Sequence, residues 1–105
     1  MREATYFILA ALQDEPRHGY AIIKQASVLS QGRVKPATGT LYTALDRLTE
    51  EGFIHVANEE VVNGRARRYY ALTPTGRTAL QVEAAHLAEA ARVVIGRPRP
   101  AAGLA

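Results

Sequence analysis

Asn63-Gly64 is the dipeptide that most restricts how this chain can fold, because it separates two strand-like runs. Phe53 to Val62 is rich in β-branched and aromatic residues, and the pattern resumes from Arg65 to Leu72. Asn-Gly is the preferred loop of a type I′ hairpin turn, where both central residues need positive φ. Counting outward places Val62 opposite Arg65, Glu60 opposite Arg67, Glu59 opposite Arg68 and Val56 opposite Ala71. Two opposite-charge cross-strand pairs emerge from the count without being assumed, which supports the register.

Ahead of the hairpin the period is helical. Thr5, Ile8, Leu9 and Leu12 share a stripe, and Tyr6, Phe7, Ala10 and Ala11 fill much of the remaining circumference. A helix over Glu3 to Gln13 is therefore apolar on several sides and buried from more than one direction. Asp14-Glu15-Pro16 breaks it. A second helix is expected from about Arg17 to Ser30, with Ile22, Ile23, Ala26 and Leu29 inward and Lys24 and Gln25 outward. Gln31-Gly32 stops it, and Arg33 to Ala37 forms a short basic connector with Pro36. In the third segment, Leu41, Leu45 and Leu48 repeat at the spacing of one buried stripe. Thr38 or Thr40 is the expected cap, and Gly52 suits the left-handed residue that ends a helix. Thr40, Tyr42, Thr43, Asp46 and Arg47 fall away from the stripe. Such groups meet phosphates and base edges in a major groove, although the segment alone also fits an ordinary surface helix.

Behind the hairpin, Thr73-Pro74 combines a capping hydroxyl with proline at the first helical position. The helix it opens runs to about Ile95. Leu80, Ala84, Leu87, Ala91 and Val94 alternate in steps of four and three, the seam of a coiled coil. Such a long helix exceeds what the core needs, so it is read as a homodimerisation helix. Folding back on its own core is the alternative, because alanine suits either packing. Gly96 to Ala105, with two prolines and Arg97 and Arg99, is expected to be a disordered tail.

Composition narrows the partners. A chain of 105 residues, 48% hydrophobic and 22% charged, is one globular domain. The apolar run from Tyr6 to Leu12 is far shorter than the roughly 20 residues of a membrane span. It also lacks the flanks of a signal peptide. Cysteine is absent, which removes disulfides, thiolate metal sites and cysteine nucleophiles. A cytoplasmic protein without membrane attachment is the simplest fit. Net charge is only +3, yet Arg65, Arg67 and Arg68 cluster, and Arg33 and Lys35 precede the third helix. Local basicity of this kind suits a polyanion. Catalysis finds no constellation. His18, His55 and His86 are scattered without carboxylates at metal-ligand spacing, and Ser27 and Ser30 lie in a helix with no elbow motif. No phosphate-binding glycine loop is present, so neither an enzyme nor a bound cofactor or metal is expected.

The element order is that of a mainly α winged helix-turn-helix domain with a β-hairpin and one long C-terminal helix. At this point the chain resembles the PadR family of transcriptional regulators, in its short form with a single C-terminal helix. His18-Gly19-Tyr20 carries the resemblance, with Gly39-Thr40-Leu41-Tyr42, Leu45, Leu48 and Glu51-Gly52-Phe53-Ile54. Gly64 to Arg77 (Gly-Arg-Ala-Arg-Arg-Tyr-Tyr-Ala-Leu-Thr-Pro-Thr-Gly-Arg) completes it, so that residues 3 to 95 are covered. Thr43 departs from the pattern, standing where many relatives have proline.

The resemblance implies a dimeric repressor that binds double-stranded operator DNA and releases it on a small-molecule or other signal. It divides the chain into a DNA-binding domain over 1–73, a dimerisation helix over 74–95 and a tail over 96–105. The third helix would enter the major groove through Thr38, Thr40, Tyr42, Thr43 and Arg47, with Lys35 just before it. Arg65 and Arg67 are the contacts expected of the wing. Arg67 and Arg68 have a competing role, because they face Glu60 and Glu59. Tyr20 is divided between DNA and the core, and Tyr69 and Tyr70 fit strand packing. Asp46 and Glu50 would repel phosphate, which suggests that only the first half of the helix enters the groove. Leu80, Ala84, Leu87, Ala91 and Val94 would form the dimer seam. Tyr6 and Phe7 would line an effector cavity between the first and last helices, though they serve equally as core. A reading of another class keeps the winged helix as a protein-docking module. Convergence of Arg33, Lys35, Arg47 and Arg65 on one face would favour DNA, and exposed apolar groups would favour docking.

Overall fold

Leu41, Leu45 and Leu48 are fully buried, and the remaining elements of the computed structural model are laid around them. It describes residues 1–96, so the expected tail lies, beyond Gly96, outside the described residues. The order is α1 (Glu3–Ala10), β1 (Arg17–His18), α2 (Gly19–Leu29), α3 (Thr38–Glu50), β2 (Ile54–Val62), β3 (Arg65–Leu72) and α4 (Pro74–Ile95). Ile8, Leu9 and Leu12 from the N-terminal segment, Ile22 from α2, Ile54 and Tyr70 from the sheet and Leu80 from α4 close one core. Among the described residues, no helix is long and apolar enough to cross a membrane.

Two expected boundaries shift. The first helix was expected to reach Gln13 but ends at Ala10, after which Leu12 and Gln13 bond three residues back in tighter turns. Arg17 Nε donates to the Ala11 carbonyl at 2.8 Å and Arg77 Nη2 to the Gln13 carbonyl at 3.1 Å, capping acceptors the helix leaves unpaired. The second helix begins at Gly19 rather than Arg17. Arg17 and His18 form instead a short strand antiparallel to β3, with His18 opposite Tyr69. Two residues are too few to show a period, so only pairing with β3 creates this strand. The sheet order is β1-β3-β2.

The hairpin keeps the counted register near its turn. Val62 faces Arg65, Glu60 faces Arg67 and Glu59 faces Arg68. Asn63 and Gly64 hold φ of 52° and 77°, as a type I′ turn requires. The expected Val56–Ala71 pair is displaced: Val56 faces Tyr70 and His55 faces Ala71. A bulge at Ala57 adds one unpaired residue to β2, and counting from the turn cannot detect it.

The junctions around α3 are specific. At the end of α2, Gln31 and Gly32 are left-handed, with φ of 53° and 82°. Ser30 is buried there, and its Oγ accepts the Val34 amide at 2.8 Å. At the end of α3, Gly52 has φ of 80°, and Phe53 and Gly52 donate to the Leu48 and Thr49 carbonyls in a Schellman closure. Thr73 then joins α3 to α4. Its hydroxyl donates to the Gly52 carbonyl at 2.5 Å and accepts the Gly76 amide at 3.0 Å.

Candidate nucleic-acid interface

The outward face of α3 follows from its buried one. With Leu41, Leu45 and Leu48 inward, positions 39, 43, 46 and 50 fall on the opposite line of a 3.6-residue helix. Tyr42 lies to one side of this line and Arg47 to the other. Neither threonine caps the helix as expected: Ala37 is the cap residue, with no side-chain bond. The Ser30–Val34 bond and buried Val34 bring the chain into the helix so that Thr38 already lies past the cap position. The amides of the first turn therefore lack intrahelical partners and remain suited to phosphate. Thr38, Thr40 and Thr43 are exposed there, and the Thr43 hydroxyl donates to the Gly39 carbonyl at 3.1 Å. Lys35 is exposed in the connector beside buried Val34.

A groove of about 910 Å³ separates α3 from the wing. Tyr42 and Asp46 line it from α3, His18, Gly19 and Tyr20 from the start of α2, and Asn63, Arg65, Arg67 and Arg68 from the hairpin. Gly19 makes this close approach possible, because a Cβ there would meet the Tyr42 hydroxyl at 2.6 Å. Tyr20 is 68% exposed, with Lys24 Nζ at 5.9 Å from its ring centre, so it faces the groove and not the core. Tyr70 also borders the groove, but it is buried as part of the core.

The wing cations differ in their partners. Arg68 Nε lies 3.6 Å from Glu59, as the register suggests. Arg67 faces Glu60 in the ladder, yet the Glu60 carboxylate accepts the Tyr69 hydroxyl at 2.6 Å. Among the described residues, Arg67 and Arg65 take part in no ion pair, which leaves both free for a polyanion. His18 sits beneath them. Its Nδ1 accepts the Ala21 amide at 3.3 Å, capping α2, and its ring meets Tyr69 edge-on at 5.4 Å. Burial holds the imidazole below its ordinary range, with the nearby Arg67 charge acting in the same direction against Glu60.

Other expected contacts lie elsewhere. Arg47 does not face the groove. Its guanidinium donates to Glu51 at 3.1 Å and to Thr5 of α1 at 3.1 Å, tying two helices together. Arg33 pairs with Glu3, also on the α1 side. The convergence expected of Arg33, Lys35, Arg47 and Arg65 is therefore not found; the basic cluster is the wing's own arginines. Tyr6 and Phe7 do line a cleft, of about 300 Å³, with Glu83 and Leu87 of α4. Leu80 of the expected dimer seam is 5% exposed within the chain's own core. Along the expected seam, exposure thus begins near Ala84 and is marked at Leu87 and Val94, 47% and 77% exposed. Among the described residues, no group of three or more His, Cys, Asp or Glu could hold a metal ion.

The Transcriptional regulator PadR-like family matches residues 8–82, which run from the last turn of α1 to the first turns of α4. The chain belongs to that family. Transcriptional regulator Rv3488 of Mycobacterium tuberculosis is 43% identical to this PadR-like chain over 91 residues, 87% of the chain and 71% of the relative. Transcriptional regulator YqjI of Escherichia coli is 35% identical over 74 residues, 70% of the chain but only 34% of that protein. Among solved structures, a PadR-like transcription factor of Bacteroides fragilis superposes with a TM-score of 0.72 at 31% identity, covering 86% of this chain and 84% of that one. Bacillus subtilis PadR in complex with operator DNA gives 0.69 at 23% identity, covering 95% and 53%. These relatives are transcriptional regulators and not enzymes. Two groove residues of this PadR-like protein escaped assignment from sequence. In sequence His18 is one of three scattered histidines, and Asp46 repels phosphate. The His18-Gly19-Tyr20 run was a signal for the first, but only the fold shows that it borders the groove.

Proposed function

We propose that this PadR-like regulator is a dimeric, sequence-specific DNA-binding repressor whose grip on its operator is relieved by a small molecule or another signal. The groove between α3 and the wing carries the reading, because it joins an exposed helix face to Arg65 and Arg67, which form no ion pair among the described residues. In this reading the first turns of α3, with Thr38, Thr40, Tyr42 and Thr43, meet the major groove. Lys35 and the free helix amides hold phosphate, while Arg65 and Arg67 grip the flanking backbone or minor groove. Arg47 acts from behind by fixing α3 to α1. A second copy packs along Ala84, Leu87, Ala91 and Val94. The cleft lined by Tyr6 and Phe7 lies against the same helix, where an effector would alter the spacing of two reading heads.

The deciding experiment is binding to the DNA upstream of the protein's own gene at two salt concentrations, with random DNA as competitor. Protection of a two-fold symmetric site that survives competitor is the expected result, and the half-site spacing reports dimer geometry. Binding that disappears with modest salt and ignores sequence would reduce the groove to a generic basic surface.

A further inference from the structure

Among the described residues, Asp46 is the only carboxylate lining the groove between α3 and the wing, and it sits opposite the cations of Arg65, Arg67 and Arg68. It is exposed, and among the described residues it takes part in no ion pair and no side-chain hydrogen bond. Its position is central: 39, 43 and 46 follow the outward line of α3, and Gly39 contributes no side chain. Glu50 continues that line one turn farther on, outside the groove. A carboxylate in this place gains nothing from phosphate, which it repels. Ionised, it accepts hydrogen bonds and donates none. In the major groove, donors on base edges are the amino groups of cytosine and adenine, and cytosine is the usual partner of an acidic side chain.

We infer that Asp46 is a specificity-determining residue that accepts a hydrogen bond from a cytosine amino group, once in each half-site. The inference rests on the DNA-binding reading above and extends its contact along α3 by one turn past Thr43. It assigns affinity and selectivity to different parts of the groove: the wing arginines hold any sequence, and Asp46 rejects base edges that present only acceptors. A guanine there sets its O6 and N7 against the carboxylate, so the wrong base is refused by repulsion as well as by a missing bond.

The test is selection from a random duplex library by the full chain and by two variants, Asp46→Asn and Asp46→Ala, with circular dichroism confirming that both fold. The wild type should require cytosine at one position of each half-site, by roughly five- to a hundredfold over other bases. Asp46→Asn should move that preference to adenine, because a carboxamide pairs with the N6 and N7 edge. Asp46→Ala should accept every base there while keeping the wild-type salt slope. Variants that recover the wild-type sequence unchanged would overturn the assignment, as would a uniform rise in affinity without change of preference. A wild-type chain that selects no sequence would overturn the DNA reading itself, and this inference with it.

Discussion

His18 accepts the Ala21 amide through Nδ1, which only a neutral imidazole can do. Burial and Arg67 both lower its affinity for a proton, while Glu60 opposes them. The folded chain therefore binds that proton less readily than the unfolded chain, whose histidine keeps the ordinary value of 6.5. By linkage, stability from this group is complete above that value and is lost as pH falls through the lower folded one. The melting temperature should decline on acidification below about pH 6.5. Substituting His18→Asn, which keeps a capping acceptor but does not titrate, should flatten that part of the profile. An unchanged slope in thermal unfolding across that range would assign the acid sensitivity to other groups. At the same scale, the structure turns Arg47 from an expected DNA ligand into a tie between α3 and α1, since Thr5 and Glu51 occupy its guanidinium. Sequence spacing placed it off the apolar stripe but could not show which neighbour it met.

Between elements, the tightest junction is Gly76 against the start of β2. A Cβ on Gly76 would be driven into the Phe53 backbone carbonyl, which cannot move aside like a flexible side chain. Gly76→Ala should destabilise the fold by about 3 kcal/mol, read as a lower urea midpoint, because overpacking here displaces backbone. Wild-type stability in that variant would mean α4 can shift its first turn without loss. The wing makes a different prediction. Arg65 stands past the turn without an ion-pair partner among the described residues, so Arg65→Ala should weaken DNA binding about equally for all sequences. The salt slope should fall by about one, as expected for one lost phosphate contact. Binding isotherms at several salt concentrations test this, and an unaltered slope would remove the wing tip from the interface.

Across the whole molecule, α4 has two environments. At 22 residues it is about 33 Å long, and its first half packs on the core through Leu80 while its last turns carry exposed Val93, Val94 and Ile95. Leu87 lies where the two parts meet, half-exposed beside the cleft. Leu87→Asp should therefore dissociate the proposed dimer while leaving a folded protomer, seen as halved mass in sedimentation with unchanged helicity. A variant that remains dimeric would place the contact on another surface. The same substitution at Leu80 would unfold the protomer instead, because that side chain is in the core.

Elements and their order were legible because each rests on local physics: a leucine stripe, a type I′ dipeptide, a threonine-proline cap, a glycine at a helix end. The hairpin register followed from its turn as far as Asn58, and the outward face of α3 followed from its inward one. Three things needed the folded chain. The strand at Arg17–His18 exists only because β3 offers it a pairing edge, and the bulge at Ala57 leaves no mark in the run from Ile54 to Val62. The division of cations among Arg33, Arg47, Arg65 and Arg67 depends on which acceptors the fold brings within reach. A charged side chain is chosen by its sequence position but assigned by its neighbours, and those neighbours come from distant parts of the chain.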